Sequence, residues 1–416
     1  MQTVDIIVIG GGSAGMAAAL SAKEQGIDSL LLLERDVELG GILQQCIHNG
    51  FGLQVFHEEL SGPTFAQRLI DEMKAKDIAY RLQTTVLSIG ADKTVTYVNP
   101  KEGYVTIQAR AIILACGCFE RSRGAISIPG TRPKGIYTAG TAQRYLNMEN
   151  VLVGKRVFIL GSGDIGLIMA RRMTLEGAEV LGVAEIMPYS NGLMRNIVQC
   201  LEDFSIPLYL SHTIIDIQGK EQVEKVVIAK VDADRQVIKG TEKAFAVDTV
   251  LLSVGLIPDV NLAKGAGIQI DPFTKGAIVN DHLETTVKGI YACGNGLHVH
   301  DLVDFVTLEA KQAGRFAAQD LQETSCEQEM IKVVAAEGLQ YVLPQRLNIK
   351  SREPVVFSFR VRQPHKRCVI ECLDQDEVIC TQQMRYALPA EMQRLTLRPE
   401  QLQKIHANVR IRVRDL

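Results

Sequence analysis

Residues 6–15, IIVIGGGSAG, decide the fold of the first part of this chain. The apolar run predicts a buried strand, and the glycine-rich turn leads into an alanine-rich segment that predicts a helix. A second apolar run ends at Glu34, 24 residues after Gly10. In a dinucleotide-binding βαβ unit, an acid at about this spacing accepts hydrogen bonds from a ribose. The stretch therefore predicts a Rossmann-like unit.

The same arrangement recurs about 150 residues later. Residues 157–166 read VFILGSGDIG, and Glu185 again stands 24 residues after the first glycine, Gly161. A single glycine fingerprint is weak evidence, but each copy here has its strand, its helix and its acid in the expected places. The chain is therefore predicted to be an α/β protein with two nested Rossmann-like dinucleotide-binding domains.

The residue types in both turns follow from the chemistry of a pyrophosphate. The first glycine permits the tight turn, the second lets the backbone approach phosphate, and the third allows close packing of the helix on the strand. These glycines are Gly10, Gly12 and Gly15 in the first copy and Gly161, Gly163 and Gly166 in the second. The carboxylate of Glu185 would repel a 2′-phosphate, so the second site is predicted to prefer NAD(H) to NADP(H). The alternative is that both turns are purely structural.

Two further segments indicate which nucleotide belongs to which turn. Residues 111–117, AIILACG, and 289–295, GIYACGN, flank the second turn and resemble the additional FAD-contact motifs of flavoproteins with two dinucleotide-binding domains. Residues 251–258, LLSVGLIP, resemble the strand and turn that close a nicotinamide domain. Residues 1 to about 325 thus resemble the pyridine nucleotide-disulphide oxidoreductase superfamily. The resemblance implies FAD at the first turn and NAD(H) at the second.

The resemblance also implies a set of cofactor contacts. For FAD they are Gly10, Gly12, Ser13, Ala14, Gly15, Glu34, Arg35, Gly41, Ala115, Gly117, Gly294, Asn295 and Thr307. For NAD(H) they are Gly161, Gly163, Asp164, Ile165, Gly166, Glu185 and Gly255. Asn295 departs from the superfamily pattern, which has an Asp that contacts the ribityl chain, although an amide can still hydrogen-bond a hydroxyl. Thr307 lies near the start of a predicted helix whose positive end would favour the negative charge of reduced flavin.

Three longer segments narrow the resemblance to a subgroup. They are GGILQQCIHNGFG at 40–52, CFERSRGAISIPGTRPKGIYTAGTAQ at 118–143 and GNGLHVHDLVD at 294–304. They resemble the flavoprotein partner of anaerobic glycerol-3-phosphate dehydrogenases and, more distantly, the alpha subunits of proline and opine dehydrogenases and one of the subunits of hydrogen cyanide synthase. Those proteins usually work beside a second flavoprotein. The resemblance therefore implies a partner, either a second flavoprotein or another redox subunit.

Cysteine usage narrows the chemistry. Disulphide reductases of the superfamily carry a redox pair a few residues apart on the helix beside the flavin. In this chain, by contrast, Cys46 has no second cysteine within a few residues, and Cys200 in the second region is unpaired. Cys46 is a candidate catalytic thiol that cycles through sulfenic acid, as in peroxide- and oxygen-reducing members. Its alternative interpretation is a buried or cofactor-lining residue. Three later thiols, Cys368, Cys372 and Cys380, are interpreted as core or edge residues rather than zinc ligands.

Two histidines after the second FAD motif are further candidates. His298 and His300 are possible proton-handling catalytic residues, because an unperturbed imidazole titrates near neutral pH. The alternative is that they only pack and hydrogen-bond within the loop. Together with Asp301 they offer too few fixed ligands for a metal centre, so no metal is predicted.

The expected organisation has three domains. An FAD-binding domain comprises residues 1–120 and 285–325, an NAD-binding domain comprises 150–280, and a small β-rich domain comprises 330–416. Alternation in VRIRV at 409–413 predicts a half-exposed sheet in the last domain, which is interpreted as an appendage for contact with a partner.

Composition excludes several classes of protein. The 416 residues are 46% hydrophobic, which is enough for several buried cores, and the net charge of −3 argues against a nucleic-acid surface. No apolar run approaches the roughly 20 residues of a membrane span. Nine cysteines without a secretory leader indicate a reducing compartment, so a cytoplasmic location is expected.

The preferred hypothesis is an FAD-dependent, NAD(H)-linked oxidoreductase that passes electrons between nicotinamide, flavin and a partner redox subunit within a heteromeric dehydrogenase. The first alternative is a stand-alone NADH oxidase or peroxidase that uses Cys46. The second is a redox-sensing flavoprotein that binds both nucleotides without significant turnover.

Overall fold

The computed structural model describes residues 3–322 and 329–416. The chain forms two compact units. One holds the described residues up to Cys118 and from Pro258 onward, and the other holds Phe119–Ile257. Residues 258–280, which the sequence assigned to the NAD-binding domain, therefore cluster with the first unit, as does the C-terminal segment.

A seven-stranded sheet forms the centre of the first unit. The strands lie in the order Ala79–Arg81, Leu30–Leu33, Thr3–Ile9, Gly103–Leu114, Thr94–Asn99 and Thr85–Ile89, and Ile290–Ala292 also pairs with Gly103–Leu114. Gly103–Leu114 is one continuous strand of 12 residues. Its first half pairs antiparallel with Thr94–Asn99, whereas its second half runs parallel to Thr3–Ile9 and Ile290–Ala292.

Helices cover this sheet. They are Ser13–Glu24, Gly62–Ala75, Asn261–Gly265 and Val303–Gln322, with short 3₁₀ turns at Gly41–Gln45 and Gly294–Gly296 and a small ribbon of Asn49–Phe51 with Leu60–Ser61. The first and last of the long helices pack closely, because a Cβ at Gly314 would lie only 2.1 Å from the Ala18 carbonyl oxygen. Helices Ser13–Glu24 and Val303–Gln322, which are distant in sequence, therefore lie side by side in this unit.

The C-terminal segment has its own hydrophobic core. One sheet has the strand order Arg346–Asn348, Met330–Ala335, Val409–Asp415, His365–Asp374 and Glu377–Ala387, and a second has Leu339–Leu343, Val355–Val361 and Gln393–Leu397. A short helix spans Pro399–Leu402. Val409, Ile411 and Val413 are buried, and the arginines between them are half-buried, as the alternation predicted.

The second unit is a parallel sheet with an antiparallel one beside it. The parallel strands lie in the order Ile136–Thr138, Thr249–Leu252, Arg156–Leu160, Glu179–Glu185 and Leu208–Leu210. The antiparallel strands are His212–Gln218, Lys225–Lys230 and Lys243–Ala246. The helices are Ala139–Asn147, Asp164–Leu175 and Met194–Cys200, with 3₁₀ turns at Gly124–Ile126 and Glu202–Phe204. Short strands Cys118–Glu120 and Leu256–Pro258 pair where the chain passes between the units.

These parallel sheets with helical crossovers confirm the predicted α/β class. Within the described residues, no helix is both long and apolar enough to cross a bilayer.

Candidate functional site

The first glycine turn has space for a phosphate at one position only. A Cβ at Gly10 would lie 2.3 Å from the Ala115 carbonyl oxygen, and one at Gly15 would lie 1.7 Å from the Gly10 carbonyl oxygen. At Gly12, by contrast, no heavy atom beyond its chain neighbours lies within 4 Å of such a Cβ. Gly10 and Gly15 are therefore required by the fold itself. The open space beside Gly12 fits the pyrophosphate of a dinucleotide.

Glu34, which follows the neighbouring strand Leu30–Leu33, is hydrogen-bonded to this turn. It is buried, and its carboxylate accepts hydrogen bonds from the Gly11 amide at 2.5 Å and from the Asp36 amide at 2.8 Å. Because an ionised carboxylate has about four lone-pair positions, both oxygens can still accept a bond from a ribose hydroxyl. Arg35 beside it is exposed. This geometry fits the ribose-binding role that the spacing predicted.

Three segments distant in sequence meet this turn at the carboxyl ends of the parallel strands. The Ala115 amide donates to the Ile9 carbonyl at 2.9 Å, and the Gly40 amide donates to the Gly11 carbonyl at 2.9 Å. A Cβ on Gly294 would lie 2.9 Å from the Cβ of Ala14. In open α/β sheets, ligands bind outside these strand ends. The structure thus gathers the predicted FAD-contact segments around the open space at Gly12.

The second glycine turn repeats the pattern in the other unit. A Cβ at Gly161 would lie 2.1 Å from the Ser253 carbonyl oxygen, and one at Gly166 would lie 2.7 Å from the Ser253 Cβ. At Gly163 the nearest atom would be the Ser253 hydroxyl at 3.4 Å, an ordinary contact. The Ser253 hydroxyl also accepts a bond from the Gly166 amide at 3.1 Å. Ser253 was not named from sequence, although it lies in the quoted strand and turn at 251–258.

Glu185 holds the second turn much as Glu34 holds the first. It is 3% exposed and accepts bonds from the Ser162 amide at 3.0 Å, the Ser162 hydroxyl at 2.6 Å and the Met187 amide at 2.9 Å. Asp164, predicted to contact NAD(H), accepts bonds from the Leu193 amide and the Asn196 side chain, at 2.8 and 2.7 Å. Its carboxylate therefore orders the segment after Glu185. Ile165 is half-buried, and Gly255 is exposed with φ +100°.

Cys46 is buried, and its sulfur donates to the Ile42 carbonyl at 3.2 Å. Burial raises the pKa of Cys46 to about 12. At neutral pH the side chain is therefore a thiol, whereas the thiolate is the form that reacts with peroxide.

His298 and His300 converge on a carboxylate that was not named from sequence. The His298 Nε2 lies 2.7 Å from Glu309 Oε2, the His300 Nε2 lies 3.3 Å from the same oxygen, and Glu309 Oε1 accepts a bond from the Gly294 amide at 2.8 Å. Burial lowers the pKa of His298, so its neutral ring donates from Nε2 to Glu309. The His298 imidazole thereby braces the carboxylate that holds Gly294 in the second FAD motif, and the His300 ring lies beside it.

The charge around this cluster opposes a metal ion. The ligand atoms of His298, His300 and Glu309 lie within 4.8 Å of one another. However, the guanidinium of Arg360 acts electrostatically on His298, and that of Arg394 acts on Glu309. Positive charge near the ligand atoms disfavours a divalent cation, and Glu309 already accepts hydrogen bonds from His298 and from the Gly294 amide.

The C-terminal segment anchors the same loop. Arg360 pairs with Asp301 and also donates to the Val299 carbonyl at 3.2 Å, and the Met392 amide donates to the second Asp301 oxygen at 2.6 Å. The Arg360 and Asp301 side chains are only 14% and 17% exposed. The segment was interpreted above as an appendage for partner contact. It is also an internal support of the loop that follows the second FAD motif.

The start of helix Val303–Gln322 is held by a buried acid. Asp304 accepts bonds from the amides of Gly52, Gln54 and Val55 at 3.0, 2.9 and 3.1 Å. The Thr307 hydroxyl donates to the Val303 carbonyl at 2.9 Å, within the helix. The Asn295 side-chain oxygen accepts a bond from the His300 amide at 3.0 Å, which orients its amide group.

Comparison with known proteins independently supports the resemblance to this family. The profile of the pyridine nucleotide-disulphide oxidoreductase family matches residues 4–314. One component of the opine oxidase of Agrobacterium tumefaciens (strain Ach5) is 25% identical over 76% of this chain and 64% of its own length. The HcnB component of the hydrogen cyanide synthase of Pseudomonas protegens is 26% identical over 64% of this chain and 60% of its own length. The chain thus spans about three fifths of the length of these curated relatives.

A solved structure supports the fold. The thioredoxin reductase of T. acidophilum has a TM-score of 0.64 at 23% identity, and the match covers 78% of this chain and 100% of that one. At this identity the likeness concerns the fold alone.

Proposed function

Because this chain belongs to the pyridine nucleotide-disulphide oxidoreductase family, we propose that it is an FAD-dependent, NAD(H)-linked oxidoreductase that exchanges electrons with a partner redox subunit. Members of the family bind FAD and NAD(P)H. The proposal depends chiefly on the three FAD-contact segments that meet around Gly12. Bound FAD would exchange hydride with a nicotinamide and pass electrons onward.

The chain's own residues would bind and position the cofactors. Glu34 and Glu185 would accept bonds from the ribose hydroxyls of FAD and NAD(H), respectively. Glu309 would keep Gly294 in place through its bond to the Gly294 amide, with His298 as its hydrogen-bond partner and His300 beside it. In this proposal both histidines are positioning residues.

Two observations favour a redox partner over a stand-alone oxidase. The relatives named above are subunits of opine oxidase and hydrogen cyanide synthase. The buried Cys46 thiol, with its pKa of about 12, is poorly suited to cycling through sulfenic acid. Co-purification of the native protein, followed by identification of what co-elutes, tests the partner directly. A chain that elutes alone and still reduces oxygen rapidly with NADH would overturn this part of the proposal.

The flavin of the purified protein should be reduced faster by NADH than by NADPH, by about tenfold or more, because the Glu185 carboxylate opposes a 2′-phosphate. Anaerobic stopped-flow absorbance measures both rates. Glu185→Gln removes the charge while keeping an oxygen for Ser162, so it should narrow the difference by raising the NADPH rate. A preference for NADPH in the unmodified protein would contradict the assignment of Glu185.

Cys46→Ser should leave NADH-driven reduction of an artificial dye within about twofold of the unmodified rate. A group with a pKa of about 12 has only roughly one thiolate in 10⁵ at pH 7. Steady-state dye reduction and peroxide consumption measure the two activities separately, and flavin content checks the integrity of the variant. Fast peroxide consumption that disappears in Cys46→Ser would instead support the peroxidase alternative.

A non-catalytic redox sensor predicts a different outcome in the same assays. Such a protein would bind both nucleotides, but it would reduce neither dye nor partner at a steady rate. Sustained turnover with NADH therefore separates the proposed enzyme from this alternative.

A further inference from the structure

Two cysteines of the C-terminal domain face each other across an antiparallel ribbon. Cys372 lies in strand His365–Asp374, Cys380 lies in strand Glu377–Ala387, and the register places them directly opposite each other. Opposite residues in an antiparallel pair point to the same face and have Cα atoms about 4.5 or 5.5 Å apart. Both spacings lie within the roughly 4.4–6.8 Å that a disulfide bridges. The ribbon therefore already has the backbone geometry of a cross-strand disulfide.

The two thiols differ in exposure. Cys372 is 0% exposed and packs in the core of the domain, whereas Cys380 is half-buried. Within the described residues, the outer strand Glu377–Ala387 pairs on one side only, and Cys380 on this strand is partly exposed. One thiol is thus accessible to a small molecule, and the other is protected directly behind it.

The thiols also act on each other chemically. A side-chain hydrogen bond between the two thiols raises the pKa of Cys372 and lowers the pKa of Cys380. Because Cys380 is partly exposed and Cys372 is fully buried, Cys380 is the thiol that a small disulfide can reach first. Cys368, on the same strand as Cys372, lies opposite Met384 and has no such neighbour in the register.

We propose that Cys372 and Cys380 form a reversible redox pair that is oxidised to an intramolecular disulfide by low-molecular-weight disulfides. The Cys380 thiolate attacks the small disulfide, forms a mixed disulfide and releases one small thiolate. Cys372 then attacks the Cys380 sulfur, forms the internal disulfide and releases the second small thiolate. The two cysteine sulfurs lose two electrons, the small disulfide gains them, and the protons of the two cysteines pass to the two released thiolates.

This pair is separate from the dinucleotide sites, and its function does not depend on the proposed oxidoreductase activity. No second cysteine lies within a few residues of Cys46 in the sequence, and Cys372 and Cys380 were interpreted there as core or edge thiols. In a reducing compartment, such a pair would respond to a shift toward oxidised thiols, since disulfides there are usually transient and redox-sensing.

Peptide mapping of the full-length protein tests the proposal. The protein is equilibrated with oxidised glutathione, its free thiols are alkylated, and it is cleaved after glutamate without reduction. Cleavage after Glu371 and Glu377 places Cys368, Cys372 and Cys380 in three different peptides. We expect a linked pair of peptides 372–377 and 378–391 that lacks two hydrogen atoms and disappears after treatment with dithiothreitol. Unlinked peptides under conditions that oxidise a small reference dithiol would overturn the proposal.

Three variants assign the order of attack. Cys372→Ser should stop at a glutathione adduct on Cys380, and Cys380→Ser should give neither the adduct nor the link. Cys368→Ser is the matched control and should form the link as the unmodified protein does. Circular dichroism and flavin content check that each variant is folded, and the mapping of the unmodified protein does not depend on them. A link that forms equally well to Cys368 would contradict the proposed pairing.

Discussion

Replacing Gly12 with valine is expected to give a folded protein that binds no FAD. No heavy atom beyond its chain neighbours lies within 4 Å of a Cβ built on Gly12, so the fold should tolerate the substitution. The valine would fill the position where the pyrophosphate has to approach the backbone, so FAD binding should be lost. Visible flavin absorbance of the purified protein and FAD released on denaturation measure the effect, while circular dichroism reports the fold.

Two matched variants make this result specific. Gly163→Val, at the equivalent position of the second turn, should keep its flavin but lose reduction by NADH. Gly15→Val should fail to fold, because its Cβ would lie 1.7 Å from the Gly10 carbonyl oxygen. A yellow Gly12→Val protein with a full complement of FAD would show that the first turn does not hold the cofactor.

Arg360→Ala is expected to destabilise the protein by about 3–5 kcal/mol and to weaken FAD retention. The substitution leaves the Asp301 carboxylate largely buried without its guanidinium partner, and it frees the Val299 carbonyl. The loop from Gly294 to Asp301 would lose its anchor in the C-terminal segment. Urea denaturation measures the free energy of unfolding, and flavin fluorescence during the titration measures when FAD is released.

Arg315→Ala is the control for this effect. Arg315 pairs with Glu353 and also links helix Val303–Gln322 to the C-terminal segment, but the two side chains are 28% and 49% exposed. An ion pair this exposed contributes about 0–1 kcal/mol to stability. The free energy of unfolding of this variant should therefore be close to that of the unmodified protein. If Arg315→Ala and Arg360→Ala lowered the free energy of unfolding equally, the contact between Arg360 and Asp301 would not be the specific anchor of the loop.

The local pattern of the sequence was sufficient for the main features of the two nucleotide-binding folds. A strand, a glycine turn, a helix and a second strand ending in an acid are specified within about 25 residues each time. The turns depend on backbone conformations and close approaches that glycine alone permits, so residue identity reveals them directly. The positions of Gly12, Glu34, Gly163 and Glu185 could therefore be assigned from the sequence alone.

Only the tertiary structure decided which distant side chains meet. No sequence pattern identified Glu309 or Arg360 as part of this network, because a helix or strand pattern shows that a residue is polar but not which group it contacts. The pKa of Cys46 depends on burial that no single position reveals. The pairing of Cys372 with Cys380 depends on the register of two strands, and a shift of one residue would separate the thiols. Local chain chemistry thus determined the nucleotide-binding turns, whereas long-range packing determined the network that supports them and the cysteine pair.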